Sequence, residues 1–392
     1  MRPIRSATAL ALASVCLAGT LAGCSFGDDD AQATGQIVIG ADLELSGAAA
    51  ATGKAYQRAL ELKVQQANES GALGGRTIRL DVQDNRSDSS ESLRNISEFT
   101  NNPAITAIIM GSCNDCAIGA VKTVNDRKIP TIALAAASAV ASPAADRRYM
   151  FKLGPNAADT AAALAVELKR KRIKDVGLLR TDDGYGREGA LALRGELAKL
   201  GIETSEMQQV KTTATDVSQA VESLVEPEPD ALVLWTSAEQ ALLAAGSARD
   251  AGYTGQFFFD AAAAGSLFLD DATARSVDNA SLVFTQTMVI DDVIATTPAK
   301  ASRKQWFRDY TARYGSYHGF ASFAADAVQM IVNAVREADG VDRERLRTVL
   351  ETSQLDGLSG LIRITPSNHS GLMPQALTML VARGGRWRLA GG

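Results

Sequence analysis

The sequence holds only two histidines, His318 and His369, in 392 residues, and aromatics make up just 5% of it. It has no excess of positive charge, with 40 basic against 45 acidic residues. No basic patch interleaved with aromatics is visible, which excludes the usual footprint of a nucleic-acid binder. Neither histidine sits in a metal-like spacing, so no metal site is expected. Beyond the N-terminal segment no apolar run approaches the roughly 20 residues of a spanning helix. No short internal repeat occurs, which excludes a solenoid. There is no Ser-His-Asp order, no paired acid/base motif and no phosphate-binding glycine loop, so neither an enzymatic activity nor a cofactor is expected.

What is present is a soluble globular composition, 46% apolar and 22% charged, in a chain long enough for two domains. Arg2 and Arg5 precede a short apolar stretch, 7–18, that ends Leu21-Ala22-Gly23-Cys24. Residues 1–23 read as a signal peptide. The tetrapeptide resembles the bacterial lipobox, which implies lipidation of Cys24; a secretory signal cleaved without lipid is the alternative. Residues 24–35, rich in Asp, Ala and Gly, read as a flexible tether. The chain is thus expected to be exported and lipid-anchored to the outer face of the cell membrane.

From residue 37 the pattern is α/β. An apolar strand at 37–41, a helix with Tyr56, Ala59, Leu60, Val64 and Ala67 at helical spacing, and a strand at 77–82 form one βαβ unit. Such units demand a parallel sheet. Further strands are predicted at 105–110, 129–134 and 151–153, with helices over 90–101 and 117–126. The alternation then begins again. Strands fall at 175–180, 231–235, 256–259 and 282–288, and helices at 160–169, 188–200, 217–224 and 239–251. Helices at 300–314, 321–338 and 342–352 and strands at 361–364 and 376–381 complete the chain. Two α/β lobes facing each other make a cleft, the usual place for a small ligand between domains.

The segments IVIGADLELSG, KIPTIALAAAS, VGLLRTDDGYGREGALAL and FAADAVQMIVNAV, in this order over 36–389, resemble the periplasmic binding protein type I family. More narrowly they are similar to the branched-chain amino acid and amide binding proteins of ABC importers. The resemblance implies two doubly wound, Rossmann-like lobes joined by three hinge strands, near 151–154, 284–288 and 365–371. It divides the chain into 36–152 plus 287–368 and 153–286 plus 369–392. It implies a monomer that closes on a small polar solute (an amino acid, an amide or a related organic acid) and delivers it to ABC permease subunits. A sensory receptor of the same fold without a permease is the alternative.

Several residues follow as candidates. In relatives that bind aliphatic amino acids, hydroxyls and backbone N–H groups hold the ligand carboxylate. The matching loops contain Cys113, Asn114, Ala135 and Ala137, with Ser138 beside them. An acidic side chain meets the ligand ammonium; the matching position is Ala261, with Asp260 adjacent. Tyr185 matches an aromatic over the ligand, or else only packs its loop. Ser237 lies at a strand end, and Thr52 stands where an aromatic is common. Ser46 is a rim donor or a turn former. Asp182 and Asp183 read as helix caps, and Asp260 could equally be a solvated turn residue. Cys113 and Cys116 form a CxxC between a strand and a helix. This is read as a local disulfide, with free thiols or a thiol-disulfide oxidoreductase as alternatives.

Overall fold

The computed structural model describes residues 36–267 and 269–391; the signal segment, Cys24 and the tether lie outside them. β1 (Ile37–Leu43) is buried along its whole length, as a strand covered on both faces must be. α1 (Ala50–Glu69) buries Tyr56, Ala59, Leu60, Val64 and Ala67. β2 (Ile78–Asp84) returns parallel to β1, with Ile37 opposite Ile78 and Leu43 opposite Asp84. There follow α2 (Ser89–Asn101), β3 (Ile105–Met110), α3 (Asn114–Asp126), β4 (Thr131–Ala133) and β5 (Met150–Lys152). The sheet order is β2-β1-β3-β4-β5, with every pair parallel. The winding therefore reverses between β1 and β3. Beyond their carboxyl ends such a sheet opens a crevice.

The second lobe repeats the plan. It runs α4 (Ala157–Arg170), β6 (Asp175–Thr181), α5 (Gly184–Leu200), β7 (Glu203–Val210), α6 (Ser218–Val225), β8 (Ala231–Trp235), α7 (Ala238–Asp250), β9 (Gln256–Phe259), α8 (Asp271–Ser276) and β10 (Ser281–Thr285). Next come α9 (Pro298–Tyr314), α10 (Ala321–Glu337), α11 (Arg343–Leu350), β11 (Gln354–Asp356), β12 (Leu361–Arg363), β13 (Leu377–Arg383) and β14 (Arg386–Leu389). The second sheet has the order β14-β13-β10-β9-β8-β6-β7. Its five parallel strands reproduce the first sheet's winding, with the reversal between β6 and β8, and the antiparallel β13 and β14 are added at one edge. β11 and β12 form a separate antiparallel pair.

α9 and α10 return to the first lobe. Tyr310 on α9 donates its hydroxyl to the Ala55 carbonyl, and Gln66 on α1 bonds Asp309. One aromatic group lies where the lobes join. The Phe284 ring of β10 lies 5.2 Å from Phe320 and 5.9 Å from Phe323, in the edge-on geometry aromatic pairs favour.

The chain passes between the sheets three times: after β5, after β10, and between Leu372 and β13. The third passage comes later than the stretch 365–371. Lys152 still receives the Gly371 N–H at 2.8 Å and donates its own N–H to His369 at 2.9 Å, so that stretch remains tied to the end of β5. Four elements are not foreseen by periodicity: β7, α8, β11 and β14. β7 is an edge strand whose outer residues alternate between exposed and half-buried, so it carries no apolar run to read. The strand expected over 282–288 ends at Thr285, and Gln286–Asp292 coils into 3-10 turns.

Asp326 on α10 is wholly buried. It accepts from the Leu358 and Ser359 N–H groups, both at 2.7 Å, and from the Ser359 hydroxyl at 2.5 Å. Asp326→Ala leaves three donors, two of them fully buried, without an acceptor and should lower stability by roughly 2–4 kcal/mol. Urea denaturation measures this. A midpoint matching the wild type would show that the loop 357–359 does not depend on Asp326.

Candidate functional site

The two winding reversals face each other across a cavity of about 280 Å3, a little under the range of roughly 300–1,000 Å3 usual for drug-sized ligands. One wall comes from the ends of β1 and β3, the start of α1 and the start of α3. The other comes from the ends of β6 and β8, the loop holding Thr212 and Thr213, and the starts of α5 and α7. Phe320, ahead of α10, closes one side.

Glu44, one residue past β1, is the least ordinary member. It is wholly shielded from bulk water. Its carboxylate accepts the Cys113 N–H at 2.9 Å, the Ser112 N–H at 3.1 Å and the Ser112 hydroxyl at 3.2 Å. Those groups form the amino end of α3, where free N–H groups and the helix dipole favour an anion. Burial raises the pKa of Glu44, against the pull of the Cys113 and Ser112 N–H groups. Gly111 permits this approach, because a Cβ there would stand 2.2 Å from a Glu44 oxygen. Cys113 and Cys116 are disulfide-bonded, with Cα atoms 5.2 Å apart, and the bond closes the first turn of the same helix. Asn114 takes the neighbouring donors. Its side-chain oxygen accepts the Ala136 N–H at 3.0 Å and the Ala137 N–H at 2.8 Å.

On the opposite wall Tyr185 is buried and its hydroxyl bonds the Asp260 carboxylate. Its ring lies 5.7 Å from that of Trp235. Trp235 packs on the α5 backbone at Gly189, where a Cβ would lie 2.0 Å from the indole. Asp183 caps α5 through the Gly186 N–H at 2.9 Å, and Ser237 caps α7 through the Gln240 N–H at 3.3 Å. The lobes touch: the Ser138 N–H donates to Glu188 on α5 at 2.9 Å, and the Asn114 amide approaches Asp183 at 3.5 Å.

A family model for the periplasmic binding proteins matches residues 36–386. The chain belongs to that family. Solved structures agree on the fold. An extracellular ligand-binding receptor from Rhodopseudomonas palustris HaA2 is 21% identical, with a TM-score of 0.82 over 91% of this chain and 99% of the other. A leucine-binding protein from Thermotoga maritima is 18% identical, with a TM-score of 0.79 over 91% and 98%. A solute-binding protein of an ABC transporter from R. palustris, solved with benzoate, is 19% identical, with a TM-score of 0.79 over 91% and 96%. The family is one of binding proteins rather than enzymes. No helix among the described residues is long and apolar enough to cross a membrane, and none of their His, Cys, Asp and Glu side chains form a group that could hold a metal.

Within this periplasmic binding protein the structure brings Thr52, Cys113, Asn114, Tyr185 and Ser237 to the cavity lining. Five other candidates lie off it. Ser46 is exposed and bonds Asp84 at 2.6 Å. Ala135 and Ala137 are buried behind Ala136, which does reach the cavity. Ser138 is an exposed contact between the lobes. Asp260 is buried behind Tyr185 rather than solvated in a turn. Sequence reasoning passed over Glu44, Tyr56 and Phe320. A carboxylate just past a buried strand is a signal that could have found Glu44. Phe320 arrives from 276 positions farther along the chain and has no local signal.

Burial lifts the pKa of Asp260 from 3.8 to about 7, although the Tyr185 hydroxyl and nearby N–H groups pull it down. A raised carboxyl pKa means that its contribution to stability is complete below 3.8 and is lost as the pH rises through about 7. Asp260→Asn removes this titration. Relative to wild type, the variant should therefore gain roughly 1–3 kcal/mol between pH 5 and pH 8, read from chemical denaturation at each pH. A wild-type-minus-variant difference that stays flat with pH would refute the buried titration.

Proposed function

We propose that this protein is the extracytoplasmic solute receptor of an ABC importer. It binds one small polar molecule between its lobes by hinge closure and presents the closed form to permease subunits. The observation that carries this reading is the cavity at the two facing winding reversals, bridged by Ser138 with Glu188 and approached by Asn114 toward Asp183. These contacts join residues of different lobes, so they favour the closed form, and a ligand acts by what it adds to that form alone. The solute-binding and leucine-binding names of similar structures support the same reading. In it the first lobe is 36–152 plus 287–372 and the second 153–286 plus 373–392, the third passage lying after Leu372 because 369–371 pair with the end of β5, and the protein works as an exported monomer. Leu21-Ala22-Gly23-Cys24 supplies a lipid anchor, and the tether 24–35 lets the lobes reach the permease.

A receptor name among the similar structures keeps a sensory role as the second reading. A neighbouring kinase gene in place of permease and ATPase genes would favour it.

Two outcomes test the main reading. A saturating ligand found in a thermal-shift screen of amino acids, amides, polyols and organic acids should reduce the radius of gyration. Glu188→Ala should weaken that ligand's affinity by about 3–10-fold, because it removes a contact of the closed form. An unchanged radius at saturation argues against closure. Separately, cells fed labelled palmitate should label the wild type and not Cys24→Ala; equal labelling, or none in either, rejects the anchor.

A further inference from the structure

Every charged side chain among the described residues lining the cavity is acidic: Glu44, Asp115, Asp183 and Glu239. No Lys, Arg or His among them faces a ligand. Three of the four sit at helix starts. Asp183 caps α5, Asp115 lies in the first turn of α3 and Glu239 in the first turn of α7. Glu44 fills the amino end of α3 with its carboxylate. Of the helix ends that would attract an anionic solute, those of α3 and α5 already hold the chain's own carboxylates, Glu44 and Asp183, and that of α7 holds the Ser237 hydroxyl with Glu239 in its first turn. The start of α1 at Ala49, which has no side-chain cap, also borders the cavity, and no Lys, Arg or His lines the cavity beside it.

Acidic residues alone do not make a site, and a second observation points to a missing group. Tyr56 lines the same cavity, and its hydroxyl is wholly buried and has no hydrogen-bond partner. A buried hydroxyl without a partner is costly, so a polar group is due beside it. The nearby walls are aromatic, from Tyr56, Tyr185 and Phe320. Aromatic rings in a cavity that also holds carboxylates favour a cationic nitrogen. The hydrogen-bond partners of Glu44 are all neutral, so no protein cation already compensates its charge through them.

We infer that the cleft selects a nitrogenous solute without net negative charge (an amine, guanidine, quaternary ammonium or amide) and rejects organic acid anions, with Glu44 as the residue that sets this preference. A ligand carboxylate at the amino end of α3 would have to displace Glu44 from three donors and then lie against its charge. A donor-bearing nitrogen meets the Glu44 carboxylate and the Tyr56 hydroxyl from the open side. The acidic lining also concentrates cations at the mouth.

This inference rests on the solute-binding reading, and one experiment separates their failures. Midpoint shifts and calorimetric affinities are measured for putrescine, agmatine, choline and acetamide against acetate and benzoate. The proteins are wild type, Glu44→Gln and Glu44→Ala. The wild type should take at least one nitrogen probe about tenfold or more tighter than either anion, and a charged probe should bind more weakly as NaCl is raised. Glu44→Gln should cut the preference at least tenfold, and Glu44→Ala should gain a response to acetate or benzoate by freeing the Ser112 and Cys113 N–H groups. A wild type that binds benzoate or acetate as tightly as any nitrogen probe overturns this inference and leaves the solute-binding reading standing. An unchanged ratio in Glu44→Gln does the same. Should both variants fail to fold, the wild-type ratio and its salt dependence still decide. Silence of a cooperatively melting wild type toward all four nitrogen probes overturns this inference, and silence also toward the amino acids, amides, polyols and organic acids of the wider screen rejects the solute-binding reading with it.

Discussion

A carboxylate seated at the amino end of a helix, out of water and bonded only to neutral donors, constrains everything around it. Glu44 holds this position against α3. Gly111 must lack a side chain to let it in. The Cys113–Cys116 disulfide keeps the first turn of α3 closed, so that the Ser112 and Cys113 N–H groups point at one acceptor. Desolvation opposes the charge, while oriented N–H groups and the helix dipole support it. The end of β1 and the start of α3 are thereby fixed to each other, and these two elements flank the winding reversal of the first lobe.

The second lobe reaches the same architecture by different means. Its reversal is organised by packing rather than by a buried charge at a helix end. Trp235 lies on a glycine of α5 and beside Tyr185, whose hydroxyl is held by Asp260. One wall is therefore polar and acceptor-rich, while the other presents an aromatic face backed by a closed hydrogen-bonded pair. Some of the few aromatics stand at the cleft and where the lobes join, with Phe284 meeting Phe320 and Phe323.

Much of this was legible in the sequence. Buried parallel strands are short apolar runs, and β8 and β9 lie where those runs lie. Amphipathic spacing located α2 and α10 to within a residue at each end and the body of α1 through Tyr56 to Ala67, while α3, α4 and α5 begin three or four residues before the apolar spacing does. There Asn114, Ala157 and Gly184 open a helical turn before the apolar spacing begins. β7 and β14 were illegible because an edge strand is specified by its partner more than by its own residues. At the site, Tyr185, Asn114 and Thr52 were legible as loop residues at strand ends. Ala135, Ala137 and Asp260 were placed by alignment with relatives whose loops carry different side chains, and a shift of one residue turns a side chain to the other face of the wall.

The amino-acid sequence by itself determined the two α/β lobes, the strand ends that border the cleft and the acidic character of the chain, because each is a local or compositional property. Only the tertiary structure decided which groups share the cavity and which donors are already used. Glu44 and Cys113 stand 69 positions apart, and Asp260 and Tyr185 stand 75 apart. A hydrogen bond between such residues depends on strand register and helix placement. No short-range pattern encodes these. That is why the chain's resemblance to its relatives suggested a seat for a ligand carboxylate, and the fold shows that seat filled by the protein itself.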